Sequence, residues 1–132
     1  MSEGPTVLVC GGRDFSDRSL MFDTLDDVFL NREHYHYTHA DGNWLPFVTI
    51  ISGGARGADA LAKDYAAVNW CSFREYPAQW KDHGRAAGMI RNRRMLDEEQ
   101  VDLVVAFPGG KGTAHMVKLA KARGIEVIEV EK

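Results

Sequence analysis

The stretch Phe107-Pro108-Gly109-Gly110-Lys111-Gly112-Thr113 constrains this chain more than any other. Before it, Val101-Asp102-Leu103-Val104-Val105-Ala106 is a short apolar run of β-branched character, the signature of a buried strand. After it, Ala114 to Arg123 carries apolar residues at Met116, Val117 and Ala120, and Gly124 suits the position just past a helix end. The turn therefore joins the end of a strand to the start of a helix. N–H groups at a helix start have no intrahelical acceptor and the dipole adds positive potential, so an anion is favoured there. Thr113 is placed to cap the helix or to donate its hydroxyl to the same anion. Standing alone, such a loop is only a tight connection, but two others accompany it.

Thr6-Val7-Leu8-Val9-Cys10 reads as a buried strand followed by Gly11-Gly12-Arg13-Asp14-Phe15. Ser16 and Asp17 then serve as N-cap and first-turn acid of a helix whose apolar stripe is Met21, Leu25, Val28 and Phe29. Phe47-Val48-Thr49-Ile50-Ile51 is the second buried strand, followed by Ser52-Gly53-Gly54-Ala55-Arg56-Gly57-Ala58-Asp59 and a stripe of Leu61, Tyr65 and Val68. Neither loop has the G-x-G-x-x-G or Walker A spacing. Cys71 to Tyr76 is a weaker third strand, broken by Pro77-Ala78-Gln79-Trp80 and a polar loop over 81–84. A helical pattern over 85–98 holds Arg85, Arg91, Arg93 and Arg94, with Arg91 and Arg94 on one face. Ile125 to Val130 alternates as a last strand near a sheet edge.

Five strands alternating with four helical segments call for an α/β fold, a Rossmann-like three-layer sandwich on a parallel five-stranded sheet of order 3-2-1-4-5. The 132 residues, 45% apolar, suit one domain spanning 1–132 with an insertion at about 31–46. That insertion carries His34-Tyr35-His36-Tyr37-Thr38 and the turn signal Asp41-Gly42-Asn43, which predict a short hairpin or surface excursion. His34 and His36 share a face, but solvated histidines are the commoner case, and no metal and no cofactor is expected. Cys10 and Cys71 are read as reduced core thiols. A formal net charge of −3 argues against coating nucleic acid by bulk charge. With no signal peptide or membrane-length apolar run, the expected location is cytoplasmic, with no membrane partner.

All three loops leave the carboxyl ends of strands and converge on one sheet edge, where ligands of such folds lie. The reading is a nucleotide-type small-molecule site. Gly109, Gly110, Gly112 and Thr113 cradle a phosphate, flanked by Pro108 and Lys111, beside Gly11, Gly12, Ser52, Gly53 and Gly54. Arg13 or Arg56, with Arg91, neutralises it. Asp14 or Asp59 takes ribose hydroxyls, Asp59 having an alternative role in the helix dipole, and Trp80 faces the base or fills the core edge.

Together the three loops resemble the YspA-like, cpYpsA-related branch of the SLOG superfamily, over nearly the whole chain outside 31–46. The resemblance implies a Rossmann-like fold and binding of a nucleotide or nucleotide-derived ligand, as a sensor or with nucleotide-processing activity. Two related groups imply different chemistry. Lonely Guy phosphoribohydrolases carry a helical Arg, matched by Arg91, and a P-G-G-x-G-T-x-x-E loop, matched through Thr113 but with Met116 where the catalytic Glu stands. A thioether neither stabilises an oxocarbenium ion nor acts as a base, which leaves Asp14, Asp59 and Arg91 as the catalytic candidates. On this reading Met116→Glu leaves ligand binding largely intact. DprA/Smf proteins, which bind single-stranded DNA, share the Ser52–Asp59 and Arg91-Asn92-Arg93 patterns, which implies single-strand binding, at most weak in a chain without bulk positive charge. The sequence is compatible with a homodimer.

Overall fold

The computed structural model describes residues 4–131. Strand β1 (Thr6–Cys10) leads to α1 (Arg18–Leu30), a hairpin of β2 (His36–Thr38) and β3 (Trp44–Pro46), and then β4 (Thr49–Ser52). Helix α2 (Ala58–Val68), strand β5 (Ser72–Glu75), the short helix α3 (Trp80–His83), a 3-10 turn at Gly84–Ala86 and α4 (Ala87–Glu98) follow. The chain closes with β6 (Leu103–Ala106), α5 (Lys111–Ala122) and β7 (Glu126–Glu129).

The main sheet runs β5-β4-β1-β6-β7, all parallel. Renumbered by its own five strands, this is the expected 3-2-1-4-5 order. Alternation within each strand separates two cores. Val7 and Val9 of β1, Ile50 of β4 and Leu103 and Val105 of β6 face α1 and α2, meeting Met21, Leu25, Phe29, Ala62 and Tyr65. Leu8, Ile51 and Val104 face the opposite layer, with Met95 and Leu96 of α4 and Met116 and Ala120 of α5. Strands buried on both faces are what near-continuous apolar runs encode. The chain passes from β1 outward to β4 and β5, then crosses back to β6. Loops after β1 and β6 therefore diverge to opposite faces and open a crevice between them.

Several local expectations shift. The buried face of α2 is Ala58, Asp59, Ala62, Tyr65 and Ala66, while Val68 is exposed, because small residues let the helix lie close on the sheet. The segment expected as a polar loop over 81–84 is mostly α3. Helix α5 begins at Lys111 with Gly110 as N-cap, so Thr113 lies inside the first turn and does not cap it. The insertion forms the antiparallel pair His36↔Pro46 to Thr38↔Trp44. Within it, the His36 ring nitrogen Nδ1 bonds the Phe29 carbonyl at 2.8 Å, which ties the hairpin to α1. Among the described residues no group of three or more His, Cys, Asp or Glu is placed to hold a metal, and Cys10 and Cys71 are free thiols. No helix of the described residues is long and apolar enough to cross a membrane.

Asp17, not Ser16, caps α1, its carboxylate accepting the Leu20 N–H at 3.0 Å. Asp17→Ala should cost about 1 kcal/mol, because that donor has no other partner in the helix. A thermal melt should therefore show a midpoint about 3–6 °C lower. An unchanged midpoint would mean that water serves the N–H equally well.

Candidate functional site

A cleft of about 780 Å³ lies at the carboxyl edge of the sheet, between the β1 and β6 loops. Backbone bonds fasten the loops to each other. Gly12 N–H donates to the Pro108 carbonyl at 2.9 Å, and the Gly12 carbonyl accepts from Phe15 at 3.2 Å and Ala58 at 3.1 Å. One glycine thus ties the β1 loop to the β6 loop and to the start of α2. The rim that results includes Gly11, Gly12, Arg13, Asp14, Gly53, Asp59, Trp80, Arg91, Pro108, Gly109, Gly110, Gly112 and Thr113.

Arg91 is half-buried beneath this rim. Its Nη1 donates to the Gly53 carbonyl at 2.7 Å and the Tyr76 carbonyl at 3.3 Å, while Nε donates to Asn92 Oδ1 at 3.0 Å. Gly53 has no side chain for a reason of space: a Cβ there would fall inside the Arg91 guanidinium. Burial pulls the Arg91 pKa down, opposed by the Asp59 carboxylate, yet a guanidinium remains charged. The site therefore holds a fixed cation whose geometry is set by two carbonyls and an amide.

Asn92, 4% exposed, is the residue the sequence reading missed. The Arg91 Nε–H must donate, so the Asn92 oxygen faces it and the amide nitrogen faces away. That nitrogen reaches the Gly112 carbonyl at 3.1 Å and His115 Nδ1 at 3.1 Å. His115 Nδ1 is then an acceptor, which places the ring proton on Nε2. Burial, together with the charges of Arg93 and Lys118, holds the His115 pKa below the usual imidazole range, in keeping with a neutral ring. Asn92 thereby links the helix carrying Arg91 to the first turn of α5. Its signal in the sequence was a polar residue on the same helical face as Met95 and Leu96.

Asp59 is buried at the start of α2, and one of its oxygens accepts the Ala55 N–H at 3.1 Å. Burial raises its pKa, while the Ala55 N–H and the Arg91 charge oppose the rise. Ser52 is wholly buried at the end of β4, its hydroxyl beside the Asp59 carboxylate, so Ser52 stands behind the cleft instead of lining it. Cys10 does line the cleft, but burial above all, and then Asp59, push its thiol up to about 12, so it is inert as a nucleophile.

The remaining candidates are more peripheral. Asp14 and Arg56 form an exposed ion pair at 3.3 Å. The Arg13 guanidinium lies over the Trp80 ring at 5.2 Å, and Trp80 is 49% exposed, so it walls the cleft and does not fill the core. Arg56 and Gly54 border a second hollow beside the first, and Lys111 is exposed at the α5 start. Of the helical arginines, Arg94 reaches the Tyr76 ring and pairs with Glu98 at 2.6 Å, and Arg85 and Arg93 are exposed. Only Arg91 of the four lines the cleft. Met116 is 1% exposed in the core between α4, α5 and the sheet. A Glu introduced there would be buried among apolar side chains, so Met116→Glu is expected to disrupt folding, contrary to the sequence-based expectation.

Comparison with known proteins places two of the three glycine loops in a family-wide context. The sequence profile of YAcAr, the YspA, cpYpsA-related SLOG family, matches residues 5–83. Arg91 and the Pro108–Thr113 loop lie beyond that stretch. The chain is also 35% identical over 129 residues to Gene 61 protein of Mycobacterium phage D29, covering 92% of this chain and 93% of that protein.

Proposed function

The chain belongs to the YspA, cpYpsA-related SLOG family, and from that premise we propose that its cleft binds a nucleotide or nucleotide-derived ligand with a phosphate at the glycine loops. One observation carries the reading: three strand-end loops and the fixed Arg91 cation meet on a single cleft of about 780 Å³. The N–H groups at the start of α5 take phosphate oxygens, and Arg91 and Arg13 supply the balancing charge. Trp80 offers a face on which a base stacks once Arg13 moves aside.

Calorimetric titration with nucleoside phosphates and ADP-ribose-like compounds tests this, together with mass spectrometry of small molecules that copurify. Saturable heat from at least one compound is the expected result. A complete absence of heat and of thermal shift across the panel would overturn it.

The role is binding without N-glycosidic cleavage. Release of a base requires a carboxylate at the sugar, and the matching helix position holds core Met116. Asp59 is buried and held by the Ala55 N–H, and Asp14 lies exposed at the outer rim beside Arg56. Free base released from nucleoside monophosphates, followed by chromatography, should stay at background. Robust turnover that persists in Asp14→Asn and Asp59→Asn would contradict both parts of this statement.

A further inference from the structure

The cleft does not end at the glycine loops. A second hollow of about 510 Å³ opens beside it, with Arg13, Gly54, Arg56, Trp80 and Arg91 in its wall. Arg13, Trp80 and Arg91 border both spaces, so the stacked Arg13–Trp80 pair is the partition between them. Three arginines wall the second hollow and none of its lining residues is acidic. In a chain of formal charge −3, this is a local reversal of sign.

The carboxylates nearby leave that charge available. Asp14 meets Arg56 at 3.3 Å with side chains 96% and 76% exposed, a pairing that water screens and a stronger anion displaces. Glu75, which packs beside Gly54, pairs with Lys63 at 3.7 Å. Asp59 sits on the other side of Arg91, in the wall of the first lobe. A single phosphate at the α5 start leaves Arg56 with its water-exposed Asp14 pair alone and does not use the outer side of Arg13.

Building on the nucleotide reading, we propose that the ligand carries two separated phosphoryl groups, making it a nucleoside bisphosphate. One phosphate sits at the Pro108–Thr113 loop. The other sits between Arg13 and Arg56 beside the Gly54 turn, with the nucleoside crossing Trp80 between them. Arginine is suited to both positions because its planar fork pairs with two phosphate oxygens at once. A pyrophosphate, whose phosphorus atoms share a bridging oxygen, stays within one lobe and gains nothing from the second.

Calorimetry on the full chain with the four common nucleoside 5′-monophosphates, their 5′-diphosphates and their 3′,5′-bisphosphates reads this directly. For the preferred base, the bisphosphate should bind at least about tenfold tighter than either of the others. Arg56→Gln, a change at an exposed side chain checked for folding by circular dichroism, should collapse that ratio to within about twofold. A wild-type ratio near one, a diphosphate that matches the bisphosphate, or a ratio that survives Arg56→Gln would overturn the two-lobe proposal. If monophosphates bind and bisphosphates gain nothing, only this inference falls. If none of the compounds binds, the nucleotide reading falls with it.

Discussion

Gly57→Ala should be among the most destabilising single-methyl changes in the chain, lowering stability by at least about 3 kcal/mol. The backbone at Gly57 has φ 75° and ψ −126°, a conformation that residues with a Cβ rarely adopt. Space is closed as well. A Cβ would stand 2.5 Å from the Arg13 carbonyl carbon and closer still to the Gly12 and Arg13 carbonyl oxygens. Those atoms are backbone, and the Gly12 carbonyl holds the Phe15 and Ala58 N–H groups. Relief therefore requires the β1 loop to move off the start of α2, which opens the cleft. A thermal midpoint about 10 °C or more below wild type is expected. The same methyl at Gly112 should act in the opposite sense. Gly112 is inside α5 with nothing within reach of its Cβ, so Gly112→Ala should raise stability by up to about 1 kcal/mol through helix propensity. Equal effects of the two changes would refute the assignment of Gly57 as the point where the loops lock.

The contrast explains what was legible in the sequence. Strands β1, β4 and β6 announce themselves as apolar runs because each is buried on both faces, and the sheet order follows from their alternation with helices. The three loops were legible because glycine clusters at strand ends have few other uses. Less legible was anything decided by contacts distant in sequence. Arg91 meets Gly53 across 38 positions and Asn92 meets Gly112 across 20, so helical periodicity does not rank Arg91 above Arg93 or Arg94, and only the motif resemblance singled it out. The face of α2 was misread because alanines that permit close packing carry little hydrophobic signal, while the conspicuous Val68 is exposed. Trp80 was undecided between core and cleft, since its sequence neighbourhood is the same in both cases. Its exposure and its stacking with Arg13 settle which side of the chain it serves.

Arg91→Ala is expected to weaken any phosphate ligand of the cleft by about tenfold or more, the loss that follows removal of a charge-assisted hydrogen bond of roughly 1.5–3 kcal/mol. It should also destabilise the chain with no ligand present. The Gly53 and Tyr76 carbonyls lose their shared donor and Asn92 loses the contact that fixes its amide. Asp59, already raised by burial, loses the opposing cation and should titrate still higher. Arg91→Lys separates charge from shape. A lysine restores the cation, yet one ammonium cannot reproduce the spread of Nη1 toward two carbonyls and Nε toward Asn92. It should therefore recover only part of the affinity. Arg94→Ala is the comparison on the same helix: its partner Glu98 is exposed and i+4 away, so stability and ligand affinity should both hardly change. Calorimetric titration and thermal melts of the three variants decide the matter. Wild-type affinity in Arg91→Ala, or an equal loss in Arg94→Ala, would mean that the helix contributes diffuse positive charge and that the buried fork under Gly53 is a structural strut alone.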